Sequence, residues 1–496
     1  MTIHVAKRLI TVPMFALLLP GQNAGAGPVV GADPRSARIA SMLAAYHEAG
    51  MFNGSALVYS EGRILFSGTY GVADVRTQTP VNEDTIFRAG SISKQFTAAA
   101  VMALAEDGRL TPASYVADLL PGWPAQNLEK DGIRLQVHHL LTHTGGVSNF
   151  SRDLRQQFWT RSFTMDELMA DLSQQPLQQT PGAKYEYSNS GYNLLAWIVH
   201  RLTGNYEHFL RTRVLQRAGM NDSGLSANAA QIGRSARGLY KAGNKHLDSA
   251  DDFRLRDPDI SLAPGSGALF TTTHDLLSWH KALHGNTVLT AASKQAMFTP
   301  EPNGSDYGYG FVIEEFTHSG ETTRWQWHNG FLVPLGMTAE FFRSDDTDTA
   351  IILLTNVGDD WSDTGTLSRK LREVVVTGHA TIPPLPRLTN AWLEKSVGTY
   401  VMTDGAKFRL TRTDAATGVV ADDMALFLVD EAGLVGSVML APRVNGQGEL
   451  FFTLPFGLGD AFIPPRYIEK VVIRHDPAVL NFSLDDNSLL SGTREQ

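Results

Sequence analysis

The chain has 496 residues, of which 43% are hydrophobic and 19% charged, a globular mixture with enough apolar material for two domains or one large domain with an extension. Its formal charge is -9 with the acidic residues spread out, so no basic arm is present to hold nucleic acid. It contains no cysteine, which excludes disulfides and a lipid-modified cysteine near the start.

Lys7-Arg8 precedes the apolar run Leu9 to Leu19, and Ala24-Gly25-Ala26 offers a small-x-small cleavage site. This pattern predicts a secretory leader over residues 1–26 and a secreted or periplasmic mature protein, an uncleaved leader being the alternative. The run is too short to cross a membrane comfortably, so no stable membrane insertion is expected. Ser36 to Ala49 then reads as an amphipathic helix, and Gly54 to Ser60, Glu61-Gly62 and Arg63 to Gly68 read as strand, tight turn and strand. Next, the extended piece Thr85 to Arg88 runs through Gly90-Ser91-Ile92-Ser93-Lys94 into the strong helix former Ala98 to Ala105. Ser91 falls near that helix's first turn, and Lys94 lies three residues on, over the same face. A buried lysine beside a serine loses its proton readily and acts as the base that makes the hydroxyl a nucleophile. Taken alone, the same four residues fit an N-cap serine with a surface lysine.

Residues 112–218 are expected to be largely helical. Val137 to His143 stops at Thr144-Gly145-Gly146, Thr164 to Leu172 carries apolar residues at helical spacing, and further helices follow Ser190 and Tyr206. His139 and His143 are four apart, but neither lies in His-Glu-x-x-His and no acidic third ligand has motif spacing. No metal and no cofactor are therefore expected, and His143 reads as structural, its ring nitrogens bonded to nearby backbone. Pro181-Gly182 opens a loop through Tyr185, Tyr187, Ser188, Asn189 and Ser190. Tyr187 and Asn189, two apart on such a loop, either aim into a cleft or serve as rim aromatic and helix cap. Gly265-Ser266-Gly267 fits tight backbone approach, since no Gly-x-Gly-x-x-Gly, Walker or Gly-x-Ser-x-Gly pattern is present.

Strands are predicted at Gly308 to Glu314, Thr323 to His328, Gly336 to Phe342 and Thr349 to Asn356, an antiparallel meander closed by a helix over Leu367 to Val376. That helix is expected to pack with the first one across the sheet. His328, at a strand end before Asn329-Gly330, reads either as a satisfied, partly buried group or as a cleft liner. Trp325 and Trp327 share a sheet face and either meet apolar substrate or belong to the core. Pro383 to Pro386 is a stiff linker, placed at residues 381–389. Beyond it, residues 390–496 alternate in short segments and predict a small all-β barrel or sandwich.

Several of these pieces match one family in order. Ser91-Ile92-Ser93-Lys94 resembles the Ser-x-x-Lys element of the penicillin-recognising serine hydrolases, and Tyr187-Ser188-Asn189 their Tyr-x-Asn element. His328-Asn329-Gly330 is similar to the His-x-Gly form of their third element, which is Lys-Thr-Gly in many members. Leu140 to Gly146 is similar to their Leu-Leu-x-His-Thr-Ser-Gly stretch, with Gly145 in place of the serine. The resemblance spans roughly Ile39 to Val376 and is nearest to the class C β-lactamase-like branch, which includes penicillin-binding-protein-like peptidases, D-aminopeptidases and esterases. It implies a mixed α/β domain over residues 35–380, an antiparallel sheet flanked by helices plus an all-helical subdomain.

It also implies the chemistry. Ser91 attacks an amide or ester carbonyl, Lys94 and Tyr187 share the proton transfers, and Asn189 holds Lys94 and the substrate. The backbone N–H groups of Ser91 and Phe331 form the oxyanion hole. A lysine in the place of His328 would present a permanent charge to a substrate carboxylate, whereas a histidine is mostly neutral and offers a hydrogen bond. The expected partner is thus a small amide, peptide or ester, and the expected activity a D-amino-acid-specific peptidase or amidase. A carboxylesterase, a β-lactamase and a non-catalytic binding protein follow as alternatives. Nothing in the sequence sets the oligomeric state.

Overall fold

The computed structural model describes residues 29–148, 150, 162–226, 229–242, 245–248, 260–302, 305–332, 336–357, 361–383, 385, 390–403, 405–411, 426–430, 437–444, 450–453, 468–475, 478–484 and 489–495. The expected leader and most of the expected linker lie outside these.

A seven-stranded antiparallel sheet organises the larger part. Its spatial order is β1 (Val29–Val30), β3 (Arg63–Tyr70), β2 (Gly54–Ser60), β7 (Thr349–Thr355), β6 (Met337–Ser344), β5 (Glu321–Leu332) and β4 (Val312–His318). The sheet's second and last strands in chain order meet near its centre, where Leu57 faces Ile352 across β2 and β7. Every residue of these two strands is buried. Their apolar runs do not alternate with polar residues because helices cover both faces of the sheet.

On one face, α1 (Pro34–Glu48) and α7 (Trp361–Thr377) pack Ile39, Leu43, Leu367 and Leu371 against Val58 and Phe342. On the other, α2 (Ser93–Glu106) lies between the sheet and a helical region containing α3 (Val137–Leu141), α4 (Met165–Ser173) and α5 (Asn189–Thr203). Residues Ser93 to Leu104 of α2 are all buried. Its alanine-rich middle lets the sheet and the helical region approach closely from both sides, and α6 (Thr273–His284) closes this layer with Trp279 on Phe96. This is the expected fold: an antiparallel sheet flanked by helices with an all-helical subdomain.

Two details differ from expectation. The strand predicted from Gly308 begins only at Val312, because residues 307–310 form a turn pressed onto α2. Gly310 has φ +79°, and a Cβ there would come within 2.8 Å of the Gln95 Cα. Trp325 and Trp327 both face α7 rather than the cleft: Trp325 is fully buried, and Trp327 stacks on Phe342 at 5.1 Å.

After a helix at Asn390–Ser396, eight strands from Gly398–Met402 to Leu489–Arg494 form a closed barrel, the first pairing with the last. Tyr400, Phe408, Leu410, Ile473, Leu480 and Phe482 are buried, while Lys407 and Arg409 between them are exposed. An eight-stranded barrel has an interior just wide enough for side chains to fill. Among the described residues, no helix is long and apolar enough to cross a membrane.

Candidate active site

Ser91 sits in a one-turn 3-10 helix, Gly90–Ile92, that leads directly into α2. Gly90 has φ +52°, a left-handed conformation that swings the chain from the extended Phe87–Arg88 segment into the helix. Ser93, the near twin, faces elsewhere: its Oγ donates to the Gly90 carbonyl (2.6 Å) and accepts from the Leu269 N–H (2.9 Å).

Lys94 is fully buried, and its Nζ has three oxygen neighbours: Ser91 Oγ at 3.0 Å, Asn189 Oδ1 at 2.8 Å and the Ser266 carbonyl at 2.9 Å. Burial drives its pKa well below the ordinary value of 10.5. A neutral amine has two hydrogens and one lone pair. The amide and carbonyl oxygens only accept, so they take both hydrogens and leave the lone pair facing Ser91 Oγ. In this geometry a neutral Lys94 can accept the serine hydroxyl proton. The Nζ also lies 4.7 Å from the Tyr187 ring centroid.

Tyr187 approaches Ser91 from the other side, its hydroxyl donating to Oγ over 2.9 Å. The residue exposes 37% of its surface, yet the hydroxyl is turned into the cleft. Loss of water around the phenol raises its pKa above the usual 10, so it rests neutral and retains a proton to give.

The loop carrying Tyr187 and Asn189 is fixed by its neighbours. Ser188 caps α5, its Oγ accepting from the Gly191 N–H at 3.0 Å and donating to the Val147 carbonyl at 2.8 Å. The Ser188 N–H donates to His143 Nδ1 at 3.1 Å, and the Glu186 N–H to the His143 carbonyl at 2.8 Å. His143 has φ +58°, and its ring packs at a tilt against Tyr187, the centroids 4.3 Å apart. It is structural, as expected, but only one ring nitrogen is bonded to backbone, because Nε2 has no hydrogen-bond partner.

The third wall is the end of β5. Gly330 lies so close to the Ser91 turn that a Cβ would sit 1.8 Å from the Ala89 carbonyl oxygen and 3.2 Å from the Ser91 nitrogen. A Cβ on Gly90 would come 2.9 Å from the Phe331 nitrogen. Glycine at both positions is what lets the Ser91 and Phe331 backbones lie side by side. The first-turn N–H groups of a helix lack partners within the helix, so the Ser91 N–H is suited to a developing negative charge.

His328 points to the same face as Gly330 and is buried. Its Nε2 is 3.0 Å from the Tyr307 hydroxyl and its Nδ1 contacts the Asn329 carbonyl. Burial and the nearby Lys94 lower its pKa to about 3. Its ring centroid is 6.3 Å from that of Tyr187, without a hydrogen bond to the serine, lysine or tyrosine of the cleft. The expected free hydrogen bond from His328 to substrate is thus already occupied by protein.

The structure therefore gathers Ser91, Lys94, Tyr187 and Asn189 by direct hydrogen bonds and sets His328 and Phe331 on the adjoining strand. Sequence reasoning missed two participants. Ser266 contributes only a backbone carbonyl, for which the Gly265-Ser266-Gly267 signal of close approach was the available clue; a Cβ on Gly265 would come 2.3 Å from the Tyr192 carbonyl. Tyr307 was hidden by placing a strand from Gly308. Among the described residues, no group of three or more His, Cys, Asp or Glu side chains could hold a metal ion.

The sequence profile of the beta-lactamase family matches residues 36–374. Penicillin-binding protein 4* of Bacillus subtilis is 26% identical over 73% of this chain and 82% of its own length. Esterase EstB of Burkholderia gladioli is 26% identical over 52% of this chain and 74% of its own. The crystal structure of D-amino acid amidase from Ochrobactrum anthropi SV3 matches with a TM-score of 0.58 at 22% identity, covering 70% of this chain and all of that one, a likeness of fold. The chain belongs to the beta-lactamase family and is a serine hydrolase of the beta-lactamase and penicillin-binding-protein type.

Proposed function

We propose that this protein hydrolyses a small amide through a Ser91 acyl-enzyme, with D-aminoacyl amides or peptides as its substrate class. The observation that carries the reading is the amine of Lys94, held by Asn189 Oδ1 and the Ser266 carbonyl with Ser91 Oγ as its third neighbour. In the first step the Ser91 hydroxyl proton passes to Lys94 Nζ as Oγ bonds to the carbonyl carbon, and the oxyanion forms against the Ser91 and Phe331 N–H groups. Tyr187 then gives its proton to the departing amine and regains one from Lys94, a single coupled titration shared by the pair. Water enters by the reverse sequence and releases the acid.

Two features favour an amide of this kind. A neutral Tyr187 retains the proton that an amine leaving group requires. The wall at His328 carries no cation for a carboxylate, and a D-aminoacyl amide bears an ammonium group and no carboxylate. The name of the Ochrobactrum neighbour points to the same substrates. An esterase is the second reading, favoured by the half-open aromatic rim of Tyr185 and Tyr187, which suits an apolar acyl group. On either reading residues 1–26 are a leader and the mature enzyme acts outside the cytoplasm, which N-terminal sequencing of the natural product checks.

The test is covalent labelling followed by a substrate panel. A fluorophosphonate is expected to add its mass at Ser91 and to fail with Ser91→Ala. D-aminoacyl p-nitroanilides are expected to exceed their L counterparts, short p-nitrophenyl esters and nitrocefin in kcat/KM relative to spontaneous hydrolysis. An unlabelled Ser91, or turnover unaffected by Ser91→Ala, removes the enzymatic reading; dominant nitrocefin turnover removes the proposed substrate class.

A further inference from the structure

Tyr307 belongs to none of the short motifs quoted for the family resemblance, yet it is 2% exposed and its hydroxyl ends on the cleft wall. Its turn is clamped at several points. The Tyr307 N–H donates to Ser305 Oγ at 3.0 Å, its carbonyl accepts from the Glu301 N–H at 3.2 Å, and Gly310 abuts α2. The ring packs 4.6 Å from His143 and stands edge-on to His328, the planes at 86°. The hydroxyl is thereby held beside His328, with Tyr192, whose own hydroxyl donates to the Leu141 carbonyl, as its other side-chain neighbour.

The partners of His328 decide its protonation. A carbonyl oxygen can only accept, so Nδ1 bears the hydrogen in the contact with Asn329. Nε2 of the neutral ring is then a lone pair, and the Tyr307 O–H donates to it. The titratable groups facing the ring are Lys94 on α2, His143 after α3, Tyr187 on the loop before α5 and Tyr307 itself. None is a carboxylate that would hold an imidazolium, and Lys94 opposes one wherever it is itself protonated.

We propose that Tyr307 is a specificity-determining residue: it locks His328 in the Nδ1–H tautomer with both nitrogens engaged, so that the third wall of the cleft offers a substrate carboxylate neither a cation nor a donor. This rests on the hydrolase reading above and extends it to why one wall is silent toward anions. Tyr307 touches no reacting atom; it acts through His328.

The experiment has two arms. In ¹⁵N-histidine spectra, with His328 identified by loss of its signals in His328→Gln, the wild-type ring is expected as the Nδ1–H tautomer and unprotonated down to about pH 5. In Tyr307→Phe, which keeps the ring and removes only the donor, it is expected to titrate at higher pH. The second arm compares kcat/KM for two matched esters, one with a free carboxylate on the leaving group and one with that carboxylate methylated. Because a hydrogen bond to a charged group contributes about 1.5–3 kcal/mol, the carboxylate-to-methyl ratio is expected to rise roughly ten-fold or more in Tyr307→Phe near pH 6, and less near pH 8.

An Nε2–H tautomer, a wild-type His328 that titrates in the ordinary histidine range, or a ratio unmoved by Tyr307→Phe overturns the proposal. If that variant does not fold, the wild-type spectrum still decides. Fluorophosphonate labelling of Ser91 in the same samples reports separately on the hydrolase reading, because the tautomer of His328 does not depend on whether Ser91 reacts.

Discussion

Replacing Lys94 by methionine keeps the shape of a fully buried side chain and removes only its titratable end. Two consequences follow with different signs. Acylation of Ser91 loses its base, and a positioned general base contributes typically about 10²–10⁴-fold, so kcat/KM should fall by that factor. Stability responds through pH. The folded pKa of Lys94 lies well below 10.5 and the unfolded one near it, so between these values the unfolded chain binds a proton that the folded chain does not. The cost of burying Lys94 is thus fully present below the folded pKa and is relieved as pH rises toward 10.5. Within this window the wild type gains about 1.4 kcal/mol of stability per pH unit from this one group, and Lys94→Met gains none of it. The size of the stability change at one pH is less telling. The variant also leaves Asn189 Oδ1 and the Ser266 carbonyl without Lys94, each loss costing about 1–3 kcal/mol. The discriminating quantity is proton uptake on unfolding, measured calorimetrically near pH 8 in two buffers of different ionisation enthalpy. Wild type is expected to take up about one proton more than Lys94→Met. Equal uptake would mean that Lys94 is an ammonium ion in the folded enzyme, and its assignment as the base would be wrong.

Three other perturbations probe two remaining walls of the cleft and the far face of the sheet. Gly330→Ala places a Cβ 1.8 Å from the Ala89 oxygen, so β5 must withdraw from the nucleophile turn; loss of an oxyanion donor should lower kcat about 10²–10³-fold with little change in KM, read by steady-state kinetics. Tyr187→Phe retains the ring contact with His143 and removes the donor to Ser91. Amide turnover should drop by about 10²-fold or more, and p-nitrophenyl ester turnover, whose leaving group needs no proton, much less; equal losses would contradict the assignment of Tyr187 as the acid. Glu340 on β6 is buried on the α7 face with Oε2 unpartnered, and its pKa is pushed up to about 8 by burial. The folded chain thus keeps a proton that the unfolded chain releases above 4.5, and stability falls as pH rises from there to about 8. Glu340→Gln should remove that decline, seen as a urea midpoint that gains on wild type between about pH 5 and pH 8.

The parts of the site that share a local segment could be read directly. Ser91 and Lys94 are three apart on one helix, and Ser188 caps the helix that Asn189 begins, so each pair is placed by short-range geometry. The central strands were equally plain, because burial on both faces requires continuous apolar runs such as Ala350 to Leu354. The turn at Tyr307 was not, because what sets it is not its own pattern. Tyr309, Phe311 and Ile313 alternate as a strand would, and it is contacts made elsewhere, of Gly310 with α2 and of Gly308 and Tyr309 with the Met297 carbonyl, that make residues 307–310 a turn. Likewise the carbonyl of Ser266 has no side-chain signature, and its role exists only where α2 passes beneath it.

The tryptophans show a different kind of limit, one that internal consistency could have removed. Alternation put Trp325 and Trp327 on one face of β5, and the same alternation puts His328 and Gly330 on the other. If His328 lines the cleft, neither tryptophan can, and the structure accordingly finds them under α7. The same parity explains how one strand serves two purposes. Its outward face anchors the sheet to a helix through Trp325 and Trp327, while its inward face carries Gly330, small enough to meet Ala89, and a histidine whose nitrogens are both satisfied. Rigidity on the first face supports the second, since a strand held by two large aromatic side chains cannot easily draw back from the nucleophile turn. Specificity in this cleft therefore depends as much on the polar groups the protein has already paired as on those it leaves for substrate.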